Sequence, residues 1–142
     1  VQTCALPICP IWAVAKDFPV NKSTVVPLVT HPEGCEYRRR MTAALRAEGR
    51  DWRVAYTTPD IGGLQRAVSA GMGVTALTRK TLLPDMRILA SRDGFPAMEP
   101  IHIGLFYKHQ RLSGAGLMLV DSLIARMDEA AEPAPSKASA AR

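Results

Sequence analysis

The sequence predicts an α/β domain, a layered sheet flanked by helices, and three observations carry that expectation. Short apolar runs of strand-like composition alternate with amphipathic stretches of helical period along most of the 142 residues. The chain is long enough for one domain with its own core. Its 47% hydrophobic and 22% charged residues are ordinary proportions for a globular protein. With aromatics at 6%, that core has to be built mainly from Val, Leu, Ile, Ala and Met.

The elements follow in order. Val1 to Ile8 has no starting Met and matches the translation of a widely used sequencing adapter, so residues 1–9 are expected to be a non-native scar and are set aside. Ile11-Trp12-Ala13-Val14-Ala15 reads as a buried strand and Val25 to Thr30 as a second, with Pro27 confined to its start or outer side because it cannot donate to a ladder. A helix is predicted from Glu36 to Glu48, since Tyr37, Met41, Ala44 and Leu45 share one face and Gly49 suits the residue after its end. Trp52 to Thr57 alternates as a strand, and Thr58-Pro59-Asp60 opens a helix from Ile61 to Ala70 with Leu64, Ala67 and Val68 inward. Strands are expected at Gly73–Leu77, more weakly at Arg87–Leu89, and at Ile101–Tyr107, with a loop from Gly94 to Pro100. A last helix, about Ala115 to Ala130, has Leu117, Val120, Ile124 and Met127 on one stripe. The Ala/Pro/Ser-rich residues 131–142 read as a disordered tail. Strands separated by helices imply a largely parallel sheet.

Bulk properties and motifs narrow the chemistry. The net charge of +5 comes from 18 basic and 13 acidic residues spread along the chain, and Arg38-Arg39-Arg40, with no interleaved aromatics, reads as a solvated helix face rather than a nucleic-acid surface. No apolar run approaches a membrane span. Three cysteines without a CxxC pair fit a reducing cytoplasm, and no signal peptide is visible. A phosphatase loop at Cys35 needs an Arg after a five-residue gap, where Met41 stands; Arg40 comes one residue early. Gly71-Met72-Gly73-Val74-Thr75-Ala76 spells GxGxxA, but it ends a helix and enters a strand, the reverse of a dinucleotide site. His31, His102 and His109 lack metal spacing, and no nucleophile elbow, P-loop or carboxylate pair is present. These readings point to no catalytic residue, no metal and no cofactor.

Two strand ends suit ligand binding, because ligands of open α/β sheets sit outside the carboxyl ends of strands, near helix N-termini. The first is Thr30-His31-Pro32 running into Tyr37 and Arg38, where the arginine could give a charge-assisted contact. The second is Thr57-Thr58. The same residues also serve as ordinary cap and turn residues, and spacing alone favours that plainer reading.

The order Pro27-Leu28-Val29-Thr30, Glu33-Gly34-Cys35-Glu36-Tyr37-Arg38, Trp52 to Tyr56 and Leu64 to Leu77 resembles the effector-binding domain of LysR-type transcriptional regulators. The string AVSAGMGVTAL, Ala67 to Leu77, is its most specific part, matching the family's V-x-A-G-x-G-[VI] pattern. Thr78 departs from it, standing where the family often has Pro. The resemblance, over about Pro10 to Ala130, implies a type 2 periplasmic-binding-protein-like fold of two subdomains with a mixed sheet flanked by helices. Residues 10–110 would be the second subdomain with its crossover strands, and 111–130 a helix returning to the first. It further implies a small-molecule effector held at Thr30, His31, Pro32, Thr57 and Thr58, the strand ends already singled out. DNA contact would come only through an N-terminal winged helix-turn-helix absent from this sequence, and the full-length protein would be a cytoplasmic homo-oligomer with no membrane partner. The competing reading is a stand-alone solute-binding module of a transport system, which shares the fold.

Overall fold

A computed structural model describes residues 2–130 and divides into two compact units, Cys9–Ile101 and one drawn from the segments on either side. In chain order the elements are β1 (Gln2–Ile8), β2 (Ile11–Ala15), β3 (Val26–Thr30), α1 (Glu36–Ala47), β4 (Trp52–Thr57), α2 (Ile61–Ser69), β5 (Thr75–Leu77), β6 (Met86–Leu89), β7 (Ile101–Tyr107) and α3 (Gly114–Ala130). Every strand and helix the periodicity predicts from Ile11 onward is present, with ends displaced by a residue or two. The segment set aside at the N-terminus takes up β1, which pairs with β7. The tail at 131–142 lies outside the described residues.

In the unit Cys9–Ile101, β3 and β4 are parallel, and β2 lies antiparallel between β5 and β6. A parallel bridge between Leu28 and Val74 joins the two groups. There Val29 N–H donates to the Val74 carbonyl at 2.9 Å and Val74 N–H to the Pro27 carbonyl at 2.8 Å. The resulting order is β4–β3–β5–β2–β6. The expectation of a largely parallel sheet holds for four of these strands and fails for β2. Parallel neighbours are joined through crossover segments that leave a local pattern, whereas β2 pairs with residues 62–77 positions further on, so nothing local records its direction. Pro27 is second in β3, near the strand's start as expected, and Gly73 lets the backbones close: a Cβ there would fall on the Pro27 carbonyl oxygen.

Side chains alternate across this sheet and make two cores. Trp12, Val14, Leu28, Val74 and Ala76 face α1, where Met41 and Leu45 meet them. Ala13, Val29, Leu77 and Met86 face α2, which supplies Leu64, Ala67 and Val68. The segment before β7 is anchored rather than loose. Phe95 and Met98 enter the first core, Trp12 Nε1 donates to the Pro96 carbonyl at 2.7 Å, and the Trp12 and Phe95 rings meet edge-on at 5.2 Å. Arg50 lies 4.5 Å over the Phe95 ring and donates to the Gly94 and Asn21 carbonyls.

Helix α2 begins on Asp60, whose carboxylate accepts from Gly63 N–H at 2.6 Å. It ends on Gly71, at φ +79°, with Met72 N–H donating back to the Ala67 carbonyl. The glycine string is thus a helix terminator leading into β5.

In the second unit α3 lies against β1. Val120 is buried, while Leu117, Ile124 and Met127 are half-buried. Met118, Leu119 and Leu123 are exposed, at 74%, 61% and 41%. No helix among the described residues is long and apolar enough to cross a membrane.

Candidate functional site

The carboxyl ends of β3, β4 and β5 lie along one edge of the sheet in Cys9–Ile101. The chain passes from β3 to β4 on one side and then to β5 on the other, which makes the end of β3 the point where strand order reverses. Five of the seven sequence-predicted residues meet there: Thr30, His31, Arg38, Thr57 and Thr58.

The edge is tied together by hydrogen bonds. Thr58 N–H donates to the Thr30 carbonyl at 3.0 Å, and His31 Nδ1 lies 2.9 Å from the Thr58 carbonyl oxygen. Thr30, wholly buried, turns its hydroxyl to the His31 carbonyl at 3.2 Å. The buried Thr58 hydroxyl accepts from Asp60 N–H at 3.2 Å. Arg38 reaches back from the first turn of α1, with Nη1 3.5 Å from the His31 carbonyl and Nη2 3.4 Å from Glu33. The β3–α1 and β4–α2 loops are therefore one fastened surface, with Thr57 exposed beside it, in register with Thr30.

The remaining two predicted residues are placed differently. Pro32 is exposed in the turn before α1. Tyr37 packs half-buried against the core cluster of Trp12, Leu28 and Met41. The arginine triplet is locally balanced: Arg39 and Arg40 pair with Glu36 at 3.0 and 3.7 Å, and Arg38 with Glu33. The solvated helix face expected for the triplet describes Arg39, while Arg38 and Arg40 are half-buried.

The two helix N-termini differ in charge. The α2 first turn already holds the Asp60 carboxylate. The α1 cap, Cys35, makes no side-chain cap bond, but Glu36 stands in its first turn and Glu33 pairs with Arg38, so each N-terminus already carries an acidic group and Arg38 is the cation added at α1. Sequence reasoning missed the Thr78–Thr81 pair, whose hydroxyls meet at 3.0 Å at the end of β5; the strand-end rule, applied to β5 as well, would have found Thr78. Among the described residues no cluster of His, Cys, Asp and Glu could hold a metal. The edge offers hydroxyls, an imidazole and a guanidinium, the means of holding a small polar molecule.

Comparison with known proteins agrees with this architecture. Residues 10–128 match the model of the LysR substrate binding domain. The HTH-type transcriptional regulator PecT of Dickeya dadantii is 26% identical over 88 residues, which cover 62% of this chain and 28% of PecT. This chain therefore spans less than a third of that relative's length. Among solved structures, the Synechocystis PCC6803 CcmR regulatory domain in complex with 2-PG aligns over 93% of this chain and 70% of its own, with TM-score 0.63 and 17% identity. A Pseudomonas aeruginosa protein assigned to the LysR family of transcriptional regulators aligns over 89% and 48%, with TM-score 0.60 and 14% identity.

Proposed function

Because the chain belongs to the family of LysR substrate-binding domains, we propose that it is the effector-sensing part of a DNA-binding transcriptional regulator. A small molecule is held at the carboxyl edge of the sheet against His31, Pro32, Arg38 and Thr57, over the buried Thr30 and Thr58 that fasten the two loops, and its binding shifts the conformation of the regulator rather than undergoing chemistry. Tyr37, half-buried against the core, supports the first turn of α1 that carries Arg38. The observation that carries this reading is the fastening of two ligand-side loops through His31 and Thr58 at the strand-order reversal. The supporting matches are to regulators, which favours this over a transport module. In the full-length protein, DNA contact would lie in a different segment, and the protein would act as a cytoplasmic homo-oligomer. Residues 1–9 fall outside the family match, while Gln2–Ile8 pairs with β7 and lies against α3. A winged helix-turn-helix in the upstream coding sequence supports the regulator; a signal peptide there overturns it.

The site itself is tested by amide NMR titration of the chain with a panel of small organic acids. Binding acids are expected to move the resonances of Thr30, His31, Thr57 and Thr58 together. Arg38→Ala should weaken binding about tenfold or more, the usual loss of a charge-assisted hydrogen bond. Shifts clustered away from this edge would refute the site.

A further inference from the structure

The Thr58 carbonyl can only accept, so the 2.9 Å contact requires that His31 Nδ1 carry a proton. A neutral imidazole has one N–H, and its second nitrogen is then a lone-pair acceptor. Among the described residues none hydrogen-bonds His31 Nε2, and it is not one of the buried side-chain atoms left without a partner. It therefore meets solvent, on the side of the ring turned from Thr58.

The neighbouring acceptors are already engaged. The His31 carbonyl takes the Thr30 hydroxyl and Arg38 Nη1, the Thr58 carbonyl takes His31, and the Thr30 carbonyl takes Thr58 N–H. Nε2 is thus an acceptor with no partner among these contacts, on the same edge as the exposed Thr57 hydroxyl. A ligand carboxylate or carbonyl placed against it would set lone pair against lone pair, whereas a hydroxyl or amine would complete it.

Resting on the effector reading above, we infer that His31 determines specificity: fixed as its Nδ1–H tautomer by Thr58, it selects an effector that presents a hydroxyl or amine donor to Nε2. A site built to hydrogen-bond such a group discriminates strongly against the analogue lacking it, because its own polar atom is then left unpaired.

The tautomer is read directly from two-bond nitrogen–proton correlations of the labelled chain at pH 8, above the range where imidazoles ordinarily titrate. A protonated Nδ1 and a bare Nε2 are expected; the opposite tautomer overturns the inference. Specificity is read with matched probes, lactate against propionate and malate against succinate. The wild type should bind the hydroxy acid at least about tenfold more tightly. His31→Asn places an amide N–H near Nδ1 and removes Nε2, so it should keep the melting point and lose the preference. His31→Gln should lose the bond to Thr58 and melt earlier. If the acids bind at this edge without preference for the hydroxyl, or His31→Asn retains it, the inference fails and the effector site stands. If no acid binds there, both fall. Should His31→Asn not fold, the tautomer and the wild-type preference decide between the same outcomes.

Discussion

Helices α2 and α3 carry apolar stripes of the same period and meet very different fates. Over nine residues α2 buries Leu64, Ala67 and Val68. Over seventeen, α3 buries Val120 alone. The stripe Leu117, Val120, Ile124 and Met127 is half-buried around Val120, and the exposed apolar groups are its flanking neighbours Met118, Leu119 and Leu123. The contrast shows that period fixes which side of a helix turns inward, while the surface opposite fixes how much is covered. Helix α2 faces four strands' worth of side chains, Ala13, Val29, Leu77 and Met86.

The largest expected effect tests this contrast directly. Leu64→Ala should cost about 2–5 kcal/mol in denaturant unfolding, because the cavity forms under a rigid sheet. Leu119→Ala should stay within about 0.5 kcal/mol. Equal losses would break the distinction between the two helices.

A smaller effect compares two glycines. Gly73→Ala forces its new Cβ onto the Pro27 backbone carbonyl, which cannot swing aside as a side chain can. It should destabilise by about 1–3 kcal/mol, as over-packing does. At Gly114, the first residue of α3, a Cβ meets nothing within 4 Å, so Gly114→Ala should be neutral or gain some tenths of a kcal/mol. A loss at Gly114 as large as at Gly73 would mean that α3 is packed as tightly as the β3–β5 seam.

The smallest effect is a gain. Thr75 is wholly buried on the α2 side of the sheet, opposite Ala13, and its hydroxyl has no hydrogen-bond partner. Thr75→Val keeps the shape and removes the orphaned group, so the melting point should rise, with a stabilisation of about 1 kcal/mol. An unchanged or lowered melting point would show that the hydroxyl is satisfied in solution.

Much of the candidate edge was legible because strand ends and helix starts are written locally. Thr30 and Thr57 each close a run of alternating apolar residues, and Thr58 and Asp60 precede a helical period. What was not legible is which neighbours those residues would find. Tyr37 has the position of an edge residue and the environment of a core residue, since one turn of α1 serves both the sheet below and the loop beside it. The bond between His31 and Thr58 joins residues 27 positions apart, and the Trp12–Pro96 bond spans 84.

Local sequence signals suffice for the elements from β2 onward, the inward face of α1 and α2, the glycine stop between α2 and β5, and the ends of β3 and β4. Each of these depends on residues within a few positions of one another, where side-chain period, caps and backbone freedom act. Contacts between distant segments set the direction of β2 against its neighbours, the pinning of the segment before β7 by Arg50 and Phe95, the cover over α3, and the turn of His31 Nδ1 to Thr58. Those outcomes are set by hydrogen bonds and packing between distant segments, whose free energy exists only once the chain has brought them together.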